Sequence, residues 1–417
     1  METMSKILLV TLDFPPLLGG VANYYYERVK AMLEDEIVVL MNTQPFVIPA
    51  KTGIQVKKKW IPDQVGDDKK EVLIFRKKFF IKYFWPHWLP LVWYIYKIVK
   101  KEKINKIWVG QVLPVGTAVW VVSKILNIFN RRDPSTSASP CSAYAQDDKK
   151  RPLSFFVTCH GNDLLRAKKN KRKFKLAKKI LKDAKFVEAN TEFTKNILVN
   201  DFAIPAEKIK IIYPINTLTK AMVDLQKVGE LRARYNLANK KVLLTVGRLV
   251  ESKGIDLVLQ ALPKVWQSVP DLVYLVVGDG PDKNRLVQIV NKLIKLPPLA
   301  PPYKGWDGEA PHFRSNVLVE NGTGGAGGII FTGAVAHNEL SNYYDLTDVF
   351  ILTPRKNSFG DTESFGVVYL EAKEFGLPII AGNVGGAAEI AKNYDQMHLI
   401  DSENSNEIIE KIIEIIK

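Results

Sequence analysis

The stretch Lys241–Leu262, "KVLLTVGRLVESKGIDLVLQAL", decides the fold. Its opening "KVLLTV" is a short apolar run, too brief for a helix and closed by Gly247, which reads as a strand buried on both faces of a parallel sheet. From Ile255 the period changes: Ile255, Val258, Leu259, Leu262 and Val265 recur at helical spacing and define one apolar face. A buried strand feeding an amphipathic helix is half of a βαβ unit. Between the two lie Arg248 and Lys253. In an open α/β sheet that is where ligands bind, beyond the carboxyl end of a strand.

The same alternation continues outward. "LVYLVVG", "GIIFTG", "DVFILTP", "LPIIAGN" and "MHLID" follow, so the second half is expected to hold six buried strands in one doubly wound sheet. The first half begins with a strand over Lys6–Leu12, a turn "DFPPLLGG" and a helix over Val21–Leu33, then "EIVVLMN", "KIWVG", "LSFFVTCHG", "AKFVEAN" and "IKIIYP", with helical segments such as Phe174–Lys182 between them. These features predict an α/β chain of two Rossmann-like domains, residues 1–215 and 216–417. Two stretches break the rhythm, 131–152, rich in Ser, Pro and charge, and 296–328, rich in Pro and Gly; both read as surface insertions.

Composition narrows the function. With 417 residues and 47% hydrophobic content, the chain can bury more than one core, which confines disorder to local segments. Two cysteines, Cys141 and Cys159, support neither a disulfide framework nor a zinc site, and the N-terminus lacks the pattern of a cleaved signal peptide, so a reducing cytoplasm is expected. A net charge of +15 calls for anionic partners, and its lysines and arginines crowd the first half. There the segment Phe79–Lys100, "FFIKYFWPHWLPLVWYIYKIVK", interleaves aromatic rings with lysines. Its longest apolar run is far short of the ~20 residues that span a bilayer. Phe79, Phe80, Lys82, Trp85 and Trp88 suit either shallow insertion among anionic headgroups or packing on the first sheet.

Chemistry-bearing residues sit at strand ends. Gly19 and Gly20 lie between the first strand and its helix, where bare backbone and helix-start amides favour an anion, although neither a dinucleotide fingerprint nor a P-loop is present. Arg248 and Lys253 together suit a diphosphate, the arginine as a planar fork and the lysine as a point charge. His160 closes the strand "LSFFVTC" and precedes "GND", where Gly161 admits close approach and Asp163 can orient an imidazole.

Glu363 and Glu371, in "TESFGVVYLEA", stand eight positions apart. On one helix they would be about 12 Å apart along the axis, too far to share a proton. Paired glycosidase carboxylates lie roughly 5 to 9.5 Å apart across one bond, so hydrolysis fits poorly. The expected arrangement puts Glu363 in a loop, a helix start near Ser364 and Phe365 with the amides of Phe365 and Gly366 aimed at the site, and Glu371 two turns along. A sugar–diphosphate–ribose ligand has the matching length.

The glutamate pair, together with Gly19 and Gly20, "HGND", "VGRLVESKG", "VVGDGP", "FTGAV" and "GLPIIAGNVGGAAE" in this order from residue 6 to about 400, resembles the retaining GT-B glycosyltransferases of group 1, or GT4. The resemblance implies two doubly wound parallel-sheet domains facing across a cleft, acceptor in the first and nucleotide sugar in the second. It implies that Arg248 and Lys253 hold the diphosphate, Glu363 the sugar hydroxyls and Glu371 the ribose. His160 would contact the transferred sugar, and Gly19 and Gly20 would shape the loop at acceptor and diphosphate. Gly247, Ser364, Phe365 and Gly366 would complete the donor site, with Gly333 and Val335 at the base. Neither metal nor cofactor is implied, only a GDP- or UDP-linked sugar as co-substrate. Within the family the sequence is most similar to mannosyltransferases of phosphatidylinositol mannosides. That similarity implies a lipid-linked or glycan acceptor, an anionic membrane surface at the inner face of the plasma membrane, and no nucleic-acid partner. Family members usually continue for several more helical turns, so a truncated end is expected after "NEIIEKIIEIIK". A silent nucleotide-sugar-binding protein and a sugar-nucleotide epimerase of the same architecture are the alternatives.

Overall fold

A computed structural model describes residues 6–15, 20–32, 35–42, 72–80, 86–131, 152–294, 318–319, 328–356 and 360–417. The chain divides into two compact units, Met1–Tyr213 and Pro214–Lys417.

The first unit is built on seven parallel strands: β1 (Lys6–Thr11), β2 (Glu36–Asn42), β3 (Leu73–Lys77), β4 (Lys106–Val109), β5 (Ser154–Cys159), β6 (Val187–Ala189) and β7 (Ile209–Ile211), in the order β3-β2-β1-β4-β5-β6-β7. Its helices are α1 (Gly20–Ala31), α2 (Leu89–Lys101), α3 (Val115–Arg131), α4 (Asn162–Lys168), α5 (Lys171–Asp183) and α6 (Glu192–Asn200). Alternation along each strand feeds two cores. Leu8 and Val10 of β1 join Leu91, Ile95, Val119 and Ile180 from α2, α3 and α5, while Ile7 and Leu9 join Tyr24, Tyr25 and Val29 of α1. Helices therefore cover both faces of the sheet, which is why its strands read as continuous apolar runs.

The second unit repeats the plan. Helix α7 (Leu225–Arg234) precedes β8 (Lys241–Val246), α8 (Ile255–Ser268), β9 (Leu272–Val277), α9 (Lys283–Ile294), β10 (Leu318–Val319), β11 (Gly328–Gly333), α10 (Leu340–Asp345) and β12 (Val349–Leu352). Then come α11 (Val367–Glu374), β13 (Ile379–Gly382), α12 (Ala387–Ala391), β14 (Met397–Ile400) and α13 (Ser405–Ile416). The parallel order is β10-β11-β9-β8-β12-β13-β14, which reverses direction at β8 and β12. Val242 and Leu244 face α10 and α11, and Leu243 faces α8, α9 and α13. Helix α13 turns Ile408, Ile412 and Ile416 into that second core.

Three expectations change. The second sheet has a seventh strand: Leu318–Val319, inside the stretch read as an insertion, pairs with β11 at Ile330 and Phe331. The rest of 296–327, and residues 132–151 of the other insertion, lie outside the described residues. Second, the helix after Glu363 starts at Val367, with Gly366 as its cap at φ 81°, so its first amides come later than expected. Third, Phe79 belongs to the core. It is fully buried, and its backbone N–H donates to the Asn42 side chain at 2.9 Å, so its ring holds the first unit together and cannot enter a membrane.

Candidate active site

In the second unit, the residues singled out by sequence gather at the carboxyl ends of β8, β11 and β12. A single 3₁₀ turn, Glu251–Lys253, joins β8 to α8 and ends in Gly254 at φ 68°. A Cβ on Gly254 would come within 1.8 Å of the Thr353 carbonyl oxygen, so the turn is pressed against the end of β12. Asp256, in the first turn of α8, fixes it from the other side. Its buried Oδ2 accepts from Arg355 Nη2 at 2.8 Å and from Arg285 Nη1 at 3.1 Å, and the Arg355 N–H donates to the Ser252 carbonyl at 3.0 Å. The Lys253 ammonium thereby has a defined place. It lies against Gly247, where a Cβ would stand 3.7 Å from Lys253 Cε, and it donates to Glu363 Oε2.

This ion pair bridges β8 and β12 at the point where the strand order reverses, the preferred ligand position in such a sheet. One ammonium N–H is committed to Glu363, which leaves two donors for an anion. Arg248 is exposed and has no partner among the described residues, so its guanidinium is available at the same strand end.

The Glu363 loop is held by close backbone contact. Gly385 stands at φ 65°, where a Cβ would meet the Glu363 carbonyl oxygen at 1.6 Å, and the Gly386 N–H donates to that oxygen at 3.3 Å. Phe365 is buried in the core beneath, and the buried Ser364 Oγ has no hydrogen-bond partner among the described residues. Gly366 packs against the Tyr369 ring, 2.5 Å from where its Cβ would be.

Glu371 is buried, and its Oε2 accepts from Tyr344 Oη at 2.6 Å. Burial pushes its carboxyl up to about 7, opposed by the Tyr344 hydrogen bond and by the Lys253 charge. A carboxylate offers about four acceptor positions, and a single bond to Tyr344 leaves this one far from satisfied. Gly333 ends β11 at φ 76° and accepts from the Gly278 N–H at 2.9 Å, while Val335 packs half-buried on the same core.

In the first unit, His160 follows β5 and precedes α4. Its backbone N–H donates to Asp163 Oδ1 at 3.0 Å, and its Nε2 lies 2.6 Å from the hydroxyl of Tyr25, which also bonds to the Gly110 carbonyl after β4. Burial lowers the imidazole to about 4, so it is neutral at physiological pH, with the Gly110 carbonyl opposing the shift. Gly20 opens α1 with no atom within 4 Å of where a Cβ would be, and Gly19 lies outside the described residues. Of the aromatic segment, Phe80 and Trp88 pack half-buried on the first core, and Lys82 and Trp85 lie outside the described residues. Among the described residues of this segment, the exposed hydrophobic rings are Trp93 and Tyr96 of α2. No group of three or more His, Cys, Asp or Glu side chains suited to a metal stands together among the described residues.

Sequence reading missed Tyr25, Tyr344, Asp256, Gly385 and Gly386. The paired glycines carried a signal, since two glycines ahead of a helix mark close backbone approach. The tyrosines carried none, because buried aromatic residues in helices look like ordinary core.

Residues 228–295 and 322–417 match the family described as "Glycosyl transferases group 1". A GDP-mannose-dependent alpha-(1-6)-phosphatidylinositol monomannoside mannosyltransferase from Mycobacterium tuberculosis is 23% identical over 99% of this chain and 89% of its own length. The enzyme of the same description from Mycolicibacterium smegmatis is 24% identical over 92% and 82%. Among solved structures, sucrose-phosphate synthase from Thermosynechococcus elongatus has TM-score 0.66 at 16% identity, covering 99% of this chain and 89% of that one. Anabaena Alr3699/HepE in complex with UDP has TM-score 0.63 at 17% identity, with the same two coverages.

Proposed function

We propose that the chain, whose second unit matches the group 1 glycosyltransferases and whose fold is GT-B, moves a hexose from a nucleoside diphosphate sugar to a hydroxyl of a lipid-linked or glycan acceptor, with retention at the anomeric carbon. The observation that carries this reading is the Lys253–Glu363 ion pair beside the buried Glu371, at the switch point of the second sheet. The three groups are of the kinds a donor needs: cation for diphosphate, carboxylate for sugar hydroxyls, carboxylate for the ribose diol. In transfer, the bond from the anomeric carbon to the β-phosphate oxygen breaks, one to the acceptor oxygen forms, and the acceptor's hydroxyl proton passes to the departing diphosphate. Lys253 and Arg248 stabilise the charge that develops on the departing diphosphate, without a metal. Gly333 and Val335 meet the base, and His160 the transferred sugar.

Mannose from GDP-mannose is the donor favoured by the relatives' descriptions. The acceptor is held by the first unit at an anionic membrane surface on the cytoplasmic side. Neighbouring helices α2, α3 and α5 support that assignment. They expose Leu89, Trp93, Tyr96, Ile125 and Ile128 together with Lys97, Lys100, Lys124, Lys175 and Lys179. No helix among the described residues is long and apolar enough to cross a membrane. Incubation with sugar-labelled GDP-mannose or UDP-glucose and a lipid extract tests the reading. Label passing into the organic phase supports it; labelled donor hydrolysed or epimerised without transfer rejects it.

A further inference from the structure

We propose that Tyr25 is a positioning residue that fixes His160 as the Nε2–H tautomer, so that the imidazole offers its ligand an acceptor, Nδ1, and no donor. This goes beyond the functional reading above and rests on it only in taking the ligand to be a sugar hydroxyl.

A phenol carries one O–H, and the Gly110 carbonyl can only accept, so the bond between them uses the Tyr25 proton. Towards His160 the Tyr25 oxygen can then only accept, and the 2.6 Å contact requires a proton on Nε2. In a neutral imidazole the other nitrogen, Nδ1, is left with its lone pair. Among the described residues no side chain bonds to Nδ1, and His160 is partly exposed.

The ring is also held in plane. Tyr24 and Tyr25 meet it edge to face, at centroid distances of 5.3 and 5.4 Å and interplanar angles of 89°. Both tyrosines sit on α1, which is tied to the sheet by a buried network. Arg28 Nη2 donates to Glu188 Oε1 at 2.9 Å, Thr158 Oγ1 donates to Glu188 Oε2 at 2.7 Å, and Trp108 Nε1 donates to Thr158 Oγ1 at 2.7 Å. Tyr25 itself is fully buried. Helix α1 therefore carries a rigid hydroxyl to the one nitrogen whose protonation decides what the histidine recognises. An Nδ1 acceptor selects a ligand group that brings its own proton, such as an alcohol. It rejects a carboxylate or a phosphate oxygen, which would face a lone pair.

Nuclear magnetic resonance of the full chain, labelled with ¹⁵N-histidine and without any donor, reads the tautomer directly, and a His160→Asn variant assigns the signal. At pH 7 the wild type is expected to show a protonated Nε2 and an unprotonated Nδ1. Tyr25→Phe, which keeps the ring and removes the oxygen, is expected to give a mixture of tautomers. In the transfer assay the same variant is expected to lose roughly two- to tenfold in kcat, with the Kd for GDP or UDP alone unchanged. An Nδ1–H wild type overturns the proposal, and so does an unaltered nitrogen pattern in Tyr25→Phe. The wild-type spectrum decides even if the variant does not fold. Failure of transfer with the expected spectrum rejects the glycosyl-transfer reading and leaves the tautomer assignment standing.

Discussion

Lys253, Glu363 and Glu371 carry opposite demands in one small volume. Lys253 and Glu363 are about one-fifth and one-seventh exposed, so their charges are partly desolvated and neither is cheap to leave alone. Lys253→Ala is expected to lower kcat/KM for transfer by about 10²- to 10³-fold, as loss of one electrostatic contact to a developing anion does. Glu363→Gln should lose turnover while keeping the circular dichroism spectrum of the wild type. Glu371 makes a second expectation with a definite sign. Its carboxyl holds a proton up to about 7 in the fold against 4.5 in the unfolded chain. Between those values the folded state binds more protons, so the carboxyl takes stability away as pH rises from 4.5 to 7. Glu371→Gln is therefore expected to be more stable than wild type at pH 8, by up to about 3 kcal/mol in urea unfolding. It should nonetheless bind nucleotide more weakly. A variant less stable than wild type at pH 8 would contradict the burial argument.

Elements set these residues by backbone contact more than by side chains. Gly385 touches the Glu363 carbonyl from the loop before α12, at a left-handed φ that a side chain rarely adopts. Gly385→Ala is expected to cost about 1–3 kcal/mol and to move the Glu363 loop, so that activity falls further than stability alone explains. Asp256→Ala should loosen the Lys253 turn by removing the acceptor that Arg355 and Arg285 share, with a loss of roughly 1–3 kcal/mol measured by urea unfolding, since Arg285 keeps Asp282 and Arg355 keeps Glu251.

The elements also show what a sequence can reveal. Strands such as β8 and β9, buried along most of their length, were legible as unbroken apolar runs. Strand β3, "LIFRK", is half-exposed at the sheet edge and gives no such run, and β10 is two residues long. The positions of Glu363 and Glu371 could be read from their spacing, but the partners that tune the site could not. Tyr344 lies 27 positions from Glu371, and Tyr25 lies 135 from His160, so only the fold brings them together.

At the scale of the molecule, charge and fold divide the work. The first unit carries the lysine-rich helices, and Lys97 lies 3.8 Å over the Trp93 ring, so ring and cation can enter a headgroup layer together. Each lysine near an anionic surface contributes about 1 kcal/mol. Lys97→Gln with Lys100→Gln is therefore expected to reduce co-sedimentation with phosphatidylserine vesicles by roughly thirtyfold, and high salt should do the same. Unchanged binding would remove α2 from the membrane face.

The donor site is proposed for the second unit, and a calorimetric titration tests that placement most directly. GDP-mannose and UDP-glucose are titrated separately into the wild-type chain and into Lys253→Ala and Glu371→Gln. The expected result is saturable binding of one donor by the wild type, weakened at least tenfold in both variants. Binding of neither donor, or binding that both variants retain in full, would contradict it.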